Sequence, residues 1–368
     1  VTGGFDDPGI PDHDIEWGVG MKEGLLALVV CPTCRASFRL QKADGAKGEI
    51  LAGELECTGC GVRYPIVDGI PRILDEGERA DNYSRNFQYY WLNMNWHRPE
   101  FNKRRFYELT EWRPEDIRGR RVLEAGCGGG RWLYQFAEEG ASEIVAFDYT
   151  LAVERARELC SRFPNIHYVQ ADIFKIPFLH DHFDITHCHG VLMATPDPRR
   201  GVERLGATVK PGGELAVLLY RNLTRPQKAI DDLICGVTKR LPTKVAFYLT
   251  MIPSLLEYVP GAVPLLENVV HLSGQPDFTL KHLHNFDWYT CAYRHRNSPD
   301  EVKQWLRDFG FSDIRILNTN EFRVRSRFAR VRRFKESMLE RGCFLKATLG
   351  VRARKSGSSG KLSNAGRR

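Results

Sequence analysis

From Arg120 onward, short apolar runs alternate with longer amphipathic stretches. RVLEAG, EIVAFD, IHYVQAD, FDITHCHG and GELAVLLY are strand-length runs rich in β-branched and aromatic residues. The stretches between them carry apolar residues at helical spacing. That rhythm predicts βαβα order, and so a parallel sheet with helices on both faces. Residues 221–290 break the rhythm with a helical insertion that contains several prolines. Within it, Val245 to Val270 reads as two helices with one buried apolar face. After the insertion, Ser298 suits an N-cap, Pro299 the first helical position, Glu301 a capping box and Gly310 a stop. Asp313–Leu317 and Cys343–Val351 supply the last two strands. Before the sheet, residues 81–112 set Tyr83, Phe87, Tyr89, Tyr90, Trp91 and Trp96 on a helical-looking stretch.

Composition is that of a globular chain: 42% apolar and 27% charged over 368 residues. The net charge of +7 is unevenly spread. Residues 321–368 hold 15 Lys/Arg against 3 Asp/Glu, while residues 1–320 hold 38 against 43. A coat of basic charge over the whole body is therefore excluded. The excess sits in FRVRSRFARVRRFK, residues 322–335, a candidate contact for RNA or an anionic surface, and in a low-complexity tail. The expected organisation is a disordered segment at 1–24, a cysteine module at 25–75, the sheet domain at 76–350 and a disordered basic tail at 351–368. No run of 18 apolar residues suggests a transmembrane segment. The N-terminus shows no basic n-region followed by an apolar h-region. With paired cysteines, this points to a reducing, cytoplasmic setting.

Cys31 and Cys34, then 22 residues, then Cys57 and Cys60 present four thiolates on two C-x-x-C turns. Zinc favours four sulfur ligands in a tetrahedron, and a closed set of four leaves no position for water, so the site is structural. Metal binding would add folding free energy that a module of this size lacks. CPTC followed by GELECTGCGVRYPIVDGIPRIL resembles the zinc-ribbon family whose free-standing members activate RNA and protein methyltransferases. The resemblance implies a ribbon that packs against a methyltransferase, here carried in cis.

The loop VLEAGCGGGR follows a strand and opens a helix, so its backbone can approach a ligand closely. Arg131 stands where the dinucleotide fingerprint needs a third glycine, and Glu124 beside the loop would repel a pyrophosphate. A cationic ligand suits it better, and S-adenosylmethionine (SAM) carries an ammonium and a sulfonium. Asp148, 18 residues after Gly130, ends the next strand, where a carboxylate can take both ribose hydroxyls. Asp172 ends the strand after that. With AFDYT, QADI, the TPDP loop and KPGG at Lys210–Gly213, the stretch from about Arg120 to Tyr220 resembles class I SAM-dependent methyltransferases.

The resemblance implies an α/β, Rossmann-like sheet of seven strands with the last antiparallel, plus the helical insertion and the small N-terminal ribbon. It implies that Glu124, Gly126, Gly128 and Gly130 cradle the methionine end of SAM, Asp148 the ribose, and Asp172 with Ile173 the adenine. His189, at the end of the fourth strand, would face the methyl group. The histidine pair that related small-molecule enzymes often carry after that strand is replaced by Met193 and Ala194.

For the methyl acceptor, HLHNFDWYTCAYRHR at 282–296 offers a polar pocket wall. His284 or His295 would serve as base, Tyr289 or Arg296 as binding group, with Asp287 among the candidates. The expected reaction is methyl transfer to an oxygen or nitrogen of a small-molecule, glycan-linked or lipid-linked acceptor. The absence of an Asn/Asp-Pro-Pro-aromatic motif after the fourth strand weighs against nucleic-acid bases. An RNA methyltransferase and a non-catalytic SAM-fold binding protein are the alternatives. Oligomeric state is not legible.

Overall fold

The structure, a computed structural model, describes residues 20–46, 48–75, 84–94, 96–222, 225–266, 270–273, 275–317 and 348–357. The basic segment 322–335 lies outside the described residues.

The N-terminal part is a small antiparallel sheet of β1 (Met21–Lys22), β2 (Phe38–Ala46), β3 (Glu49–Cys57), β4 (Arg63–Val67) and β5 (Ile70–Ile73). Asp68 and Gly69 make its last turn, both with positive φ, which is why a glycine stands there. Three helices follow: α1 (Arg85–Asn93), α2 (Pro99–Thr110) and α3 (Pro114–Ile117). Then comes the alternating unit: β6 (Arg121–Ala125), α4 (Arg131–Glu138), β7 (Glu143–Asp148), α5 (Ala152–Leu159), β8 (Ile166–Ala171), β9 (Phe183–His189), α6 (Pro198–Thr208) and β10 (Val209–Arg221). The insertion comprises α7 (Arg225–Thr238), α8 (Thr243–Leu249), α9 (Met251–Leu256), α10 (Ala262–Leu266) and α11 (Phe278–Thr290). The chain closes with β11 (Arg296–Asn297), α12 (Pro299–Asp308), β12 (Phe311–Leu317) and β13 (Thr348–Lys355).

The architecture is α/β. Seven strands run in the order β8-β7-β6-β9-β10-β13-β12, with β13 antiparallel to both neighbours. This is the expected seven-stranded sheet, with one difference in count. β5 of the ribbon pairs in parallel with β8, and short β11 pairs with β10. The ribbon therefore continues the sheet, giving one sheet of 13 strands among the described residues.

The core confirms the continuity. Leu25, Val29, Leu55, Tyr64 and Ile73 of the ribbon share one buried cluster with Val145, Phe147, Val169 and Phe178 of the sheet. Arg72, almost fully buried, bonds Glu154 of α5 at 2.6 Å and Gln170 of β8 at 3.4 Å. A second seam joins the stretch before Cys31 to the loop after β8: Val30 N–H donates to Pro177 C=O at 2.8 Å, and Leu179 N–H to Leu28 C=O at 3.1 Å. Arg35 adds two bonds, to the carbonyls of Ile176 at 3.0 Å and Phe178 at 2.6 Å.

Three expectations are corrected. Order begins before residue 25: Met21 is buried and pairs with Ile50 of β3. The last strand runs to Lys355, because Val351 and Ala353 are buried between β10 and β12; the tail expected from 351 thus starts as core strand. The insertion is helical as expected, but of the large apolar residues of α8 and α9 Phe247 packs inward while several others lie outside the buried face. Ala246, Thr250 and Ser254 point inward, while Tyr248, Ile252 and Leu255 are exposed. The helix after it matches its signals: Ser298 Oγ accepts from Glu301 N–H at 3.2 Å and the Glu301 carboxylate accepts from Ser298 N–H.

Candidate active site and metal centre

The carboxyl ends of β6 to β10 open into a cavity of about 190 Å³. One water needs ~10–15 Å³ on that scale, so the space is ligand-sized. Of the residues put forward from the sequence, Gly126, Asp148, Asp172, Ile173, His189, His284 and Asp287 line it. The helical insertion roofs it, contributing Gln275, Leu283, His284 and Asp287.

The glycine loop turns sharply under helix α1. A Cβ on Gly126 would lie 2.3 Å from Val191, and one on Gly128 2.6 Å from Trp91, so both positions need glycine. Gly128 N–H donates to Asp148 Oδ2 at 2.8 Å. Asp148 Oδ1 accepts from Thr150 N–H at 2.8 Å and Thr150 Oγ1 at 2.7 Å. A carboxylate offers about four acceptor sites, which leaves Asp148 capacity for a ligand hydroxyl. Burial nevertheless pushes its pKa up, opposed by those same bonds. Asp172 Oδ1 accepts from Phe174 N–H at 2.9 Å, and burial holds Ile173 against the core beside it.

Glu124 does not reach the cavity. Parallel register sets it opposite His187, and its Oε2 lies 2.7 Å from His187 Nδ1. Burial raises the Glu124 carboxyl and His187 opposes the shift. In the structure the acid is the partner of a buried histidine under the loop. Gly128 and Gly130 shape the loop without lining the cavity; Gly130 packs on Ala156 of α5.

Also in the lining, His189 packs on Trp132, with ring centroids 4.7 Å apart, and burial keeps its pKa well below the ordinary value, so it is neutral. Asp287 is raised to about 7 by burial, with Cys291 Sγ 3.6 Å away. Residues 282–290 of the candidate segment belong to α11 and the rest lie beyond it, and that divides the segment. Leu283, His284 and Asp287 share a face toward the cavity. Tyr289, two residues on, points elsewhere and donates its hydroxyl to His271 C=O at 2.8 Å. His295 lies outside the cavity lining, its N–H donated to Met193 C=O. Arg296 pairs with Asp231 and Asp232. Tyr289, His295 and Arg296 are thus corrected as pocket residues. Tyr90, Trp91, Arg105, Arg131 and Tyr220 line the cavity and were not put forward. The aromatic run at 81–112 was the available signal for the first two.

The four paired cysteines converge. Sγ atoms of Cys31, Cys34, Cys57 and Cys60 lie within 4.8 Å of one another, with Cys34–Cys57 at 3.3 Å and Cys31–Cys60 at 3.7 Å. Gly59 and Cys60 N–H groups both point at Cys57 Sγ at 3.4 Å, which favours a thiolate. A Cβ on Gly59 would lie 3.1 Å from Cys34 Sγ, so the knuckle is built tight around the sulfurs. The donor set fits a tetrahedral zinc ion.

Residues 117–259 match the family described as Methyltransferase domain, and residues 22–69 match the Trm112p-like protein family. An uncharacterized protein of Synechococcus sp. is 34% identical over 37% of this chain and 32% of its own length. Demethylmenaquinone methyltransferase of Renibacterium salmoninarum is 25% identical over 61% of this chain and 78% of its own. A tRNA U34 carboxymethyltransferase of Nautilia profundicola is 29% identical over 33% of this chain, which spans 44% of that protein. Among solved structures, a complex of the Haloferax volcanii Trm112 methyltransferase activator with a methyltransferase aligns with TM-score 0.42 and 14% identity, over 73% of this chain and 97% of that one.

Burial of Asp287 has a testable consequence. Its folded pKa of about 7 exceeds the unfolded value of ~3.9, so the native state binds the extra proton between them. Stability then falls as pH rises through that window, and the loss is complete above about 7. Melting curves of wild type and Asp287→Asn should diverge from pH ~4.5 to ~7, the variant gaining on the order of 5 °C. A pH-independent gap would contradict a buried, protonated Asp287.

Proposed function

We propose that this chain, which joins a Trm112p-like domain to a methyltransferase domain, transfers a methyl group from SAM to an oxygen or nitrogen of a small-molecule, glycan-linked or lipid-linked acceptor. The observation that carries the reading is one cavity that gathers two groups of side chains. Asp148, Asp172 and Ile173 reach it from the ends of β7 and β8; His189, Tyr220, His284 and Asp287 reach it from β9, β10 and α11.

When bound, SAM supplies an electrophilic methyl carbon on a sulfonium. The chain's part is to hold, orient and exclude water. Asp148 accepts from the ribose hydroxyls through its remaining acceptor capacity, and Asp172 with Ile173 seats the adenine. The acids of the cavity favour a cation. The α11 roof shields the acceptor from solvent. Asp287, with a pKa near neutrality, and His284 one helical turn before it are the candidate proton acceptors at the acceptor atom. The neutral His189 ring packs on Trp132 at the end of β9, without adding a positive charge against the methyl donor. The four cysteines hold zinc in a structural role. Curated relatives carry names for quinone-precursor and tRNA substrates. The enclosed, helix-roofed cavity favours the smaller acceptor.

Two measurements test this. In calorimetric titration, Asp148→Ala should bind SAM roughly tenfold or more weakly, the scale of a lost charge-assisted hydrogen bond; unchanged affinity would remove the ribose assignment. Metal analysis should find one zinc per chain, lost in Cys57→Ser, whereas a metal-free, folded wild type would overturn the structural zinc.

A further inference from the structure

The insertion is amphipathic in the wrong sense for a soluble helix pair. Along α8, α9 and the turn beyond, Ala246, Thr250 and Ser254 are 0%, 2% and 0% exposed. On the opposite face Tyr248, Ile252 and Leu255 are 67%, 54% and 56% exposed, at helical spacing, with Val245 and Val259 extending the stripe at either end. The inner contacts include one aromatic, Phe247 against Tyr89, His282 and Phe286, and are otherwise largely polar. Asn285 Nδ2 donates to Ser254 Oγ at 2.9 Å, and Lys281 bonds buried Glu257 at 2.6 Å. Water would favour the reverse arrangement, small and polar outward and large apolar inward. Exposed apolar stripes of this kind mark contact surfaces.

Charge decides the occupant. Between Leu233 and Leu256 there is no Asp or Glu, and Lys239, Arg240 and Lys244 are exposed. None of the three has an acidic partner among the described residues. A symmetric contact with a second copy would bring these cations together with no acid to offset them. An apolar face rimmed by Lys and Arg, with Tyr248 and Tyr258 as amphipathic edges, is instead the make-up of a helix lying in a lipid interface. No described helix is long and apolar enough to cross a membrane, so the contact would be superficial.

We propose that α8 and α9 dock this chain on an anionic lipid bilayer, the exposed stripe entering the headgroup boundary and Lys239, Arg240 and Lys244 meeting the headgroups. Both helices pack on α11, which also carries Leu283, His284 and Asp287 to the cavity. On the proposed function, that arrangement favours the lipid-linked member of the acceptor class; the docking surface itself does not depend on methyl transfer.

The test is co-sedimentation of the full chain with vesicles of phosphatidylcholine alone and with about a quarter phosphatidylglycerol. Wild type should bind the anionic vesicles at least roughly tenfold more tightly than the neutral ones. Tyr248→Ser/Ile252→Ser/Leu255→Ser should lose binding, and Lys239→Glu/Arg240→Glu should weaken it roughly tenfold or more. SAM affinity should stay at the wild-type value in both variants, showing that they fold and separating this outcome from failure of the proposed function. No vesicle binding by wild type would overturn the proposal. So would equal binding by both variants, which would place the lipid contact elsewhere, or a concentration-dependent dimer abolished by the serine variant, which would make the stripe a protein interface.

Discussion

A strand at the edge of a sheet leaves a row of N–H and C=O groups without partners, and β8 would be such an edge. Here β5 fills it in parallel register, Arg72 opposite Gln170 and Ile73 opposite Ala171. That pairing turns the cysteine module from an appendage into a continuation of the sheet. It also sets where the part of the cavity proposed for the cofactor begins, because Asp172 and Ile173 come directly after β8. The loop that follows is tied from behind by Arg35, which immediately follows Cys34 in the first cysteine knuckle and caps the carbonyls of Ile176 and Phe178. Cysteine knuckle, sheet edge and cavity wall are thus links in one chain of contacts.

The polar groups inside the molecule follow from the same demand for partners. Glu124 and His187 satisfy each other across β6 and β9, beneath the glycine loop. Asp231 is held by Arg294 and Arg296, and by Trp288 Nε1 at 2.7 Å, which anchors α7 to the end of the insertion. Among the described residues no cation acts on Asp287, and burial raises it to about 7. The contrast is in keeping with the part proposed for Asp287 beside the acceptor.

Much of this was legible in the amino-acid order. Strand-length apolar runs ending in Gly or Asp announce a parallel sheet, and two C-x-x-C pairs announce a four-sulfur site, because local spacing alone specifies both. That Glu124 meets His187 was not legible, because a strand residue's cross-strand neighbour depends on register: only the pairing of β6 with β9 sets the two side by side. Tyr289 and His295 were misplaced because their segment was read as a cluster, whereas helical geometry puts Tyr289 about half a turn from Asp287. The stripe on α8 and α9 was visible as a period, but a period does not say which face is buried. Only the polar partners on α11, Asn285 and Lys281, settle that. The role of Arg35 had no sequence signal, since it depends on a loop about 140 residues away.

The central claim is that the ribbon braces the cofactor end of the cavity. The direct measurement is SAM affinity of Arg35→Ala by calorimetric titration, with zinc content checked in the same sample. Removing two carbonyl caps from the loop after Asp172 should weaken SAM binding by roughly three- to tenfold while zinc remains bound, the scale of about one hydrogen bond's net contribution. Affinity equal to wild type, with zinc in place, would contradict the account.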